Sequence, residues 1–294
     1  LCRRADISGM KRCALGRVRF SCFPRFDPIA VFLTDRNSKA VNMVHIEGDR
    51  LNPVASISSC KVCRGRAPLC GVVDFNKNCE ERRGHFLPLA AIPIYYHRCD
   101  DCGLVFTHAF DRWSKHAFAT HIYNAAYADV DPDYIAARPA ANAPAIANIV
   151  ARGDRLKCLD YGGGNGQLAA LLRERGVDAH SWDPMGQAGT EPSSDSFDLV
   201  TAFEVLEHTP EPRVTVANAL SKLRPQGVML FTTLTIDTLP PRAMDHWYIA
   251  PRNGHITIHT CRSLDTLFEA FGYRVRHLDQ NTHLALREVP DWLS

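Results

Sequence analysis

The run Leu159-Asp160-Tyr161-Gly162-Gly163-Gly164-Asn165-Gly166 constrains this chain more than any other feature. It reads as an apolar strand ending near an acidic residue, then a glycine-rich turn that opens a helix. Glycine has no Cβ and tolerates positive φ, so the backbone there can approach a ligand closely. The first N–H groups of the following helix lack partners within it and point at the same spot. Strand, turn and helix together imply a nucleotide-type binding site.

The surrounding pattern sets the fold class. Leu156–Tyr161 reads as a buried strand and Gly166–Arg175 as a helix with Leu168, Leu171 and Leu172 on one face. Gly176 ends that helix. Val177–Trp182 and Phe197–Ala202 read as strands. Val214–Leu223 reads as a helix with Val216, Ala219, Leu220 and Leu223 inward. Pro225-Gln226-Gly227 reads as a turn into the strand Val228–Thr233. Leu264–Phe271 is a helix closed by Gly272, and Tyr273–Leu278 with Thr282–Arg287 reads as a final hairpin. Alternating strands and helices imply a mostly parallel α/β sheet, with an antiparallel strand contributed by the hairpin.

Composition removes several function classes. The 34 basic residues nearly balance 32 acidic ones, for a net charge of +2, which makes no electrostatic case for nucleic acid or an anionic membrane. No apolar run approaches the ~20 residues of a membrane-spanning helix. Eleven cysteines, an odd number, cannot all pair with one another. Their spacing favours metal over disulfides, and with it a reducing, cytoplasmic setting. The segment to about Asn42 mixes Arg, Cys and Pro without period and is expected to be a poorly ordered extension, with Met43 as a start.

Asp183 stands at the end of the second strand, where a carboxylate can accept both ribose hydroxyl protons of a nucleoside; the plainer reading is a solvated Asp that starts a turn before Pro184. With Leu159–Gly166, the chain carries Ser181-Trp182-Asp183-Pro184, then Phe197-Asp198-Leu199-Val200-Thr201-Ala202-Phe203-Glu204-Val205-Leu206-Glu207-His208. Leu223-Arg224-Pro225-Gln226-Gly227-Val228 and Gly254-His255-Ile256-Thr257-Ile258-His259-Thr260 follow. In these motifs residues 145–290 resemble a class I S-adenosylmethionine-dependent methyltransferase. The resemblance implies a Rossmann-like sheet of the seven-stranded type. It implies that Asp160, Gly162 and Gly164 line the methionine and ribose end of the cofactor, that Asp183 holds the ribose, and that Phe203 and Glu204 lie beside the sulfonium. A dinucleotide fingerprint fits less well, because Ala169 would have to serve as its third glycine. Only residues 184–196 separate Asp183 from Phe197, so the family's third strand is shortened or missing; Glu191 and Asp195 are the weak candidates for adenine.

Histidine suits a general base, with an unperturbed pKa near neutrality. His208 and His255 fall on loops expected at the carboxyl end of the sheet and are the candidate catalytic residues. The plainer readings are that His208 caps a helix before Pro210 and that His259 packs structurally.

Cys60-Lys61-Val62-Cys63 and Cys99-Asp100-Asp101-Cys102 form two Cys-x-x-Cys pairs, with 35 residues between them. Each pair suits two tetrahedral positions of one structural Zn2+. Cys70 and Cys79 are expected free, with His85 or His97 as substitute ligands. The arrangement is similar to sugar methyltransferases with an N-terminal zinc unit. In those enzymes a Glu-His pair precedes the last helix; here Gly254-His255 keeps only the histidine. His208 matches a second family histidine.

The expected organisation is an extension over 1–54, a zinc-ribbon-like unit over 55–108, an aromatic helical connector over 109–150 and a methyltransferase domain over 151–294. The expected function is methyl transfer to a small polar acceptor such as a sugar or nucleotide sugar. The alternatives are a small-molecule or quinone-type O-methyltransferase, or a zinc module that recruits protein or nucleic acid through Arg64, Arg66, Arg82 and Arg83.

Overall fold

The computed structural model describes residues 55–294 except 135, 154, 187–189, 240 and 241. The extension expected over 1–54 and the start at Met43 lie outside the described residues. Residues 52–294 form one compact unit.

In chain order the elements are β1 (Ile57–Ser59), β2 (Arg66–Asp74), β3 (Pro93–Arg98), β4 (Val105–Thr107), α1 (Lys115–His121) and α2 (Ala137–Val150). They continue with β5 (Lys157–Tyr161), α3 (Gln167–Arg173), β6 (Asp178–Trp182), β7 (Phe197–Phe203), α4 (Pro212–Ser221) and β8 (Leu223–Thr232). The last are β9 (Thr257–Ile258), α5 (Cys261–Glu269), β10 (Arg274–His277) and β11 (Thr282–Leu286).

The main sheet has six strands in the order β10-β11-β8-β7-β5-β6. β6, β5, β7 and β8 are parallel, and β11 runs antiparallel to both β8 and β10. This is the expected α/β architecture with one correction. Among the described residues no strand lies between Trp182 and Phe197, so the sheet has six strands, not the seven-stranded type. The physical reason is local: Asp183 caps a tight turn, accepting from the N–H groups of Met185 and Gly186, and Pro184 and Pro192 cannot donate to a ladder.

β8 also differs from expectation. It begins at Leu223, and the expected Pro225-Gln226-Gly227 turn is an irregularity within the strand: Phe197 pairs with Leu223 while Leu199 pairs with Val228. Leu223 is therefore a buried strand residue, not part of α4; Val216, Ala219 and Leu220 are buried as expected.

The second sheet is antiparallel, ordered β1-β2-β3-β4-β9. Its fifth strand comes from Thr257–Ile258, 150 residues downstream of β4, pairing Val105 with Ile258 and Phe106 with Thr257. The cysteine-bearing segment is thus closed by the chain that leads into α5. One buried cluster joins Cys60, Val62, Leu104 and Phe106 to Leu159, Val216, Leu264 and Phe268. The aromatic segment is mainly core: Phe110, Phe118 and Tyr127 are buried against Tyr96, Tyr248 and Ile256, whereas Tyr123 and Tyr134 reach solvent. No helix of the described residues is long and apolar enough to cross a membrane.

Candidate active site

Three carboxyl ends of parallel strands converge: β5 ends at Tyr161, β6 at Trp182 and β7 at Phe203. At β5 the glycine turn packs against its neighbours without slack. Gly162 has φ +72, and a Cβ there would lie 2.6 Å from Val205 Cγ2. A Cβ on Gly163 would lie 2.3 Å from both Asp160 Oδ2 and Ser181 Oγ. Only glycine permits this path. Asp160 is buried beside the turn; Thr201 Oγ1 donates to its Oδ1 at 3.4 Å, and its Oδ2 has no partner. Burial pushes its carboxyl up to about 7.

Asp183 closes the other side. Its Oδ2 accepts from the Gly164 N–H at 3.0 Å, so it stands at the mouth of the turn. It also caps its own turn, accepting from the N–H groups of Met185 and Gly186. Glu191 is engaged elsewhere, accepting from Asn218 Nδ2 at 2.7 Å and Lys222 Nζ at 2.6 Å.

Glu204 follows β7 with φ +53, a conformation L residues avoid. Its N–H donates to Thr232, and Thr232 Oγ1 donates to its Oε1 at 2.9 Å. Strain of this kind collects at functional sites. The next turn brings down Glu207 and His208, and the loop before β9 brings His255.

The structure puts both candidate histidines together, with ring centroids 4.9 Å apart. His255 Nδ1 lies 3.0 Å from the Tyr248 carbonyl oxygen, which only accepts. Nδ1 therefore carries the proton, and Nε2 of the neutral ring keeps its lone pair. Burial pushes His208 down to about 4 and His255 well below its ordinary value, so both are uncharged at neutral pH. His259 is buried, 3.2 Å from Ser263 Oγ, and belongs to the start of α5.

Sequence reasoning missed Glu207. Its carboxyl is fully buried, and one oxygen lies within 4.8 Å of a ring nitrogen on each of His208 and His255. Tyr248 O–H donates to Oε1 at 2.5 Å, and Oε2 has no partner. Glu-His was legible as adjacent letters, but its meeting with residue 255 depends on the packing of two loops. Cys79 was also missed: its Sγ lies 3.6 Å from His255 Nδ1.

The four paired cysteines meet as their spacing demands. Cys60, Cys63, Cys99 and Cys102 place their sulfurs within 4.8 Å of one another. The N–H groups of Val62, Gly65 and Cys102 point at cysteine sulfurs at 3.4 Å each. All eight cysteines among the described residues are free thiols. Of the arginines, Arg66 pairs with Asp100, Arg83 with Glu80, and Arg82 lies over the Trp247 ring, while Arg64 is exposed. A groove of about 620 Å³ beside the knuckles, lined by Leu69, Arg98, Asp101, Asp237 and Arg262 among others, shares no residue with the glycine turn or the histidine pair.

Part of the chain is similar to known proteins. Residues 134–278 match the family described as "Methyltransferase domain". A ubiquinone biosynthesis O-methyltransferase of Idiomarina loihiensis is 31% identical over 104 residues, which is 26% of this chain and 42% of that protein. A malonyl-[acyl-carrier protein] O-methyltransferase of Porphyromonas gingivalis is 34% identical over 55 residues, 19% of this chain and 22% of that one. The chain thus spans less than half the length of these curated relatives. Among solved structures, an O-methyltransferase family protein from Burkholderia thailandensis aligns with TM-score 0.46 and 16% identity, over 61% of this chain and 64% of that one. Residues 134–278 are thus similar to a methyltransferase domain.

Proposed function

We propose that the protein transfers the methyl group of S-adenosylmethionine to an oxygen of a small polar acceptor, with His255 or His208 receiving the acceptor's proton. The observation that carries this reading is the placement of an uncharged histidine pair beyond the carboxyl end of the same sheet that carries the glycine turn. The residues present fit the cofactor: a glycine turn with no room for a Cβ at Gly162 and Gly163, the unpartnered Asp160 Oδ2 and the Asp183 carboxylate at its mouth. When bound, the cofactor supplies an activated methyl on a positively charged sulfur.

The chain's own residues supply alignment and proton handling. The glycine turn, Asp160 and Asp183 hold the methionine and ribose end. Phe203 and Glu204 border the sulfur. The fixed tautomer of His255 presents Nε2 as the acceptor of a hydroxyl proton. Oxygen is favoured over carbon because the relatives are named as O-methyltransferases and position 254 carries no carboxylate. Sugars and nucleotide sugars, suggested by the resemblance, and a quinone-type phenol, suggested by one relative's name, are the acceptor classes to test.

The cysteine cluster is read as a closed, structural Zn2+ site. Four crowded thiols cannot all ionise without a cation: the Cys102 contact draws Cys60 down to about 5, while burial holds Cys63 up at about 11. Full thiolate ligation leaves no open position for catalysis. Such thiols and zinc suit a reducing compartment such as the cytoplasm.

Isothermal titration with S-adenosylhomocysteine tests the cofactor assignment, with NAD as the control titrant. Binding of S-adenosylhomocysteine alone, weakened at least tenfold by Asp183→Ala, is the expected result. A folded protein that binds neither would refute the reading.

A further inference from the structure

Glu207 has a burial problem that the fold leaves unsolved. It comes from the turn after β7 and is fully buried. One oxygen is held by Tyr248, and the other has no partner. His208 Nδ1, in the same cluster, is also buried without a partner. The groups facing this cluster are Glu204 at the end of β7, Tyr248 from the loop before β9, and Arg138, Asp131 and Tyr123 from the connector. Cys79 and Lys77 face it from the cysteine-bearing segment. Arg138 is already paired with Asp131. Among the described residues no cation is paired with Glu207, and burial together with the Glu204 charge holds its carboxyl well above the ordinary range.

A buried, uncharged histidine pair is a weak base. It can take an acceptor's proton only if a compensating negative charge stands beside it. Among the described residues, Glu207 is the carboxyl placed within 4.8 Å of both rings. Resting on the methyltransferase reading above, we propose that Glu207 carries its negative charge only opposite a sulfonium, releasing its proton when S-adenosylmethionine binds and taking up the acceptor's proton as that charge disappears.

The step balances. The acceptor's O–H bond breaks and an O–CH3 bond forms, using an oxygen lone pair. The S–CH3 bond breaks and its electron pair stays on sulfur, so the sulfonium becomes a neutral thioether. The proton passes through a histidine nitrogen to the Glu207 carboxylate. Glu207 and the sulfonium contribute one negative and one positive charge before transfer and neither afterwards, so the methyl moves without adding a bare charge to those already in the site.

The test needs no acceptor. S-adenosylmethionine and S-adenosylhomocysteine share an ammonium and a carboxylate and differ in the sulfonium charge. Their Kd values are measured on the full chain between about pH 6 and about pH 8.5, with proton release followed by titration in buffers of different ionisation enthalpy. The preference for the sulfonium should rise about fivefold or more with pH, with proton release on binding S-adenosylmethionine in excess of that for the homocysteine. Glu207→Gln should flatten the ratio while leaving S-adenosylhomocysteine binding intact. If that variant fails to fold, Tyr248→Phe removes the donor that holds the Glu207 charge and should move the rise about one pH unit upward.

Both ligands binding with a ratio flat in pH would overturn the proposal and leave the methyltransferase reading standing. A slope lost in Asp160→Asn but kept in Glu207→Gln would reassign the proton to Asp160. A slope that vanishes when divalent cations are chelated would put a metal ion in place of the proton. Neither ligand binding would overturn both readings.

Discussion

Asp160 carries a cost in the folded protein. Its carboxyl is buried, half-satisfied and pushed up to about 7. The folded state therefore holds a proton that the unfolded chain releases near pH ~3.9. Stability contributed by this group is complete at low pH and is lost as pH rises from about 4 to about 7. Asp160→Asn should remove that loss and make the cofactor-free protein more stable at about pH 8, by about 1–3 kcal/mol in urea unfolding. It should also weaken S-adenosylhomocysteine. His208 and His259 act with the opposite sign: burial pushes them down to about 4 and about 3, so their share is lost as pH falls below about 6.5. That acid-side loss is common to both proteins and cancels in the comparison. A variant no more stable than its parent at about pH 8 would mean that Asp160 is not a destabilising buried carboxyl. Glycine spacing disclosed where this residue stands. The cost itself comes from burial, which the packing of neighbouring strands imposes; the Thr201 hydroxyl from β7 offsets part of it and the Asp183 charge adds to it.

At the scale of elements, β9 and α5 couple the cysteine knuckles to the histidine pair. Thr260 caps α5 by accepting from the Ser263 N–H, and its hydroxyl donates to the Cys102 carbonyl at 2.6 Å. Two to three residues earlier, β9 pairs with β4, and the Ile256 N–H donates to the Glu207 carbonyl oxygen at 2.9 Å. A metal held by Cys99 and Cys102, as proposed, would therefore also steady the loop that carries His255. Removing a metal held there with a chelator, or by Cys99→Ser, should speed amide exchange over 250–260 as well as over 57–107, and should lower S-adenosylhomocysteine affinity several-fold although none of the four knuckle sulfurs belongs to the site. Exchange confined to the knuckles would show that the two regions are uncoupled. Both Cys-x-x-Cys pairs were legible from spacing alone, because each knuckle is local. The partnership of β9 with β4 was not, because a two-residue strand has no periodicity to read.

At the scale of the molecule, the segments expected as separate domains share one core. Cys60, Val62 and Phe106 pack in the same cluster as Val216, Leu264 and Phe268, and Tyr96 O–H donates to the His255 carbonyl oxygen at 2.7 Å. Zinc-loaded protein should therefore unfold residues 55–294 in one cooperative transition, with tryptophan fluorescence and far-ultraviolet circular dichroism coincident in denaturant. Two resolved transitions would restore the view of an independent zinc unit. By itself the sequence determined what short-range chemistry controls: the strand-turn-helix at Gly162, the order of strands and helices, the cysteine knuckles and the two histidines. Tertiary structure decided what depends on segments distant in the chain. It joined β9 to β4, omitted a strand after Asp183 among the described residues, and set the buried Glu207 between His208 and His255. Local spacing fixes backbone geometry and side-chain periodicity over a few residues, whereas a buried charge acquires its neighbours, and its proton, only when separate loops pack together.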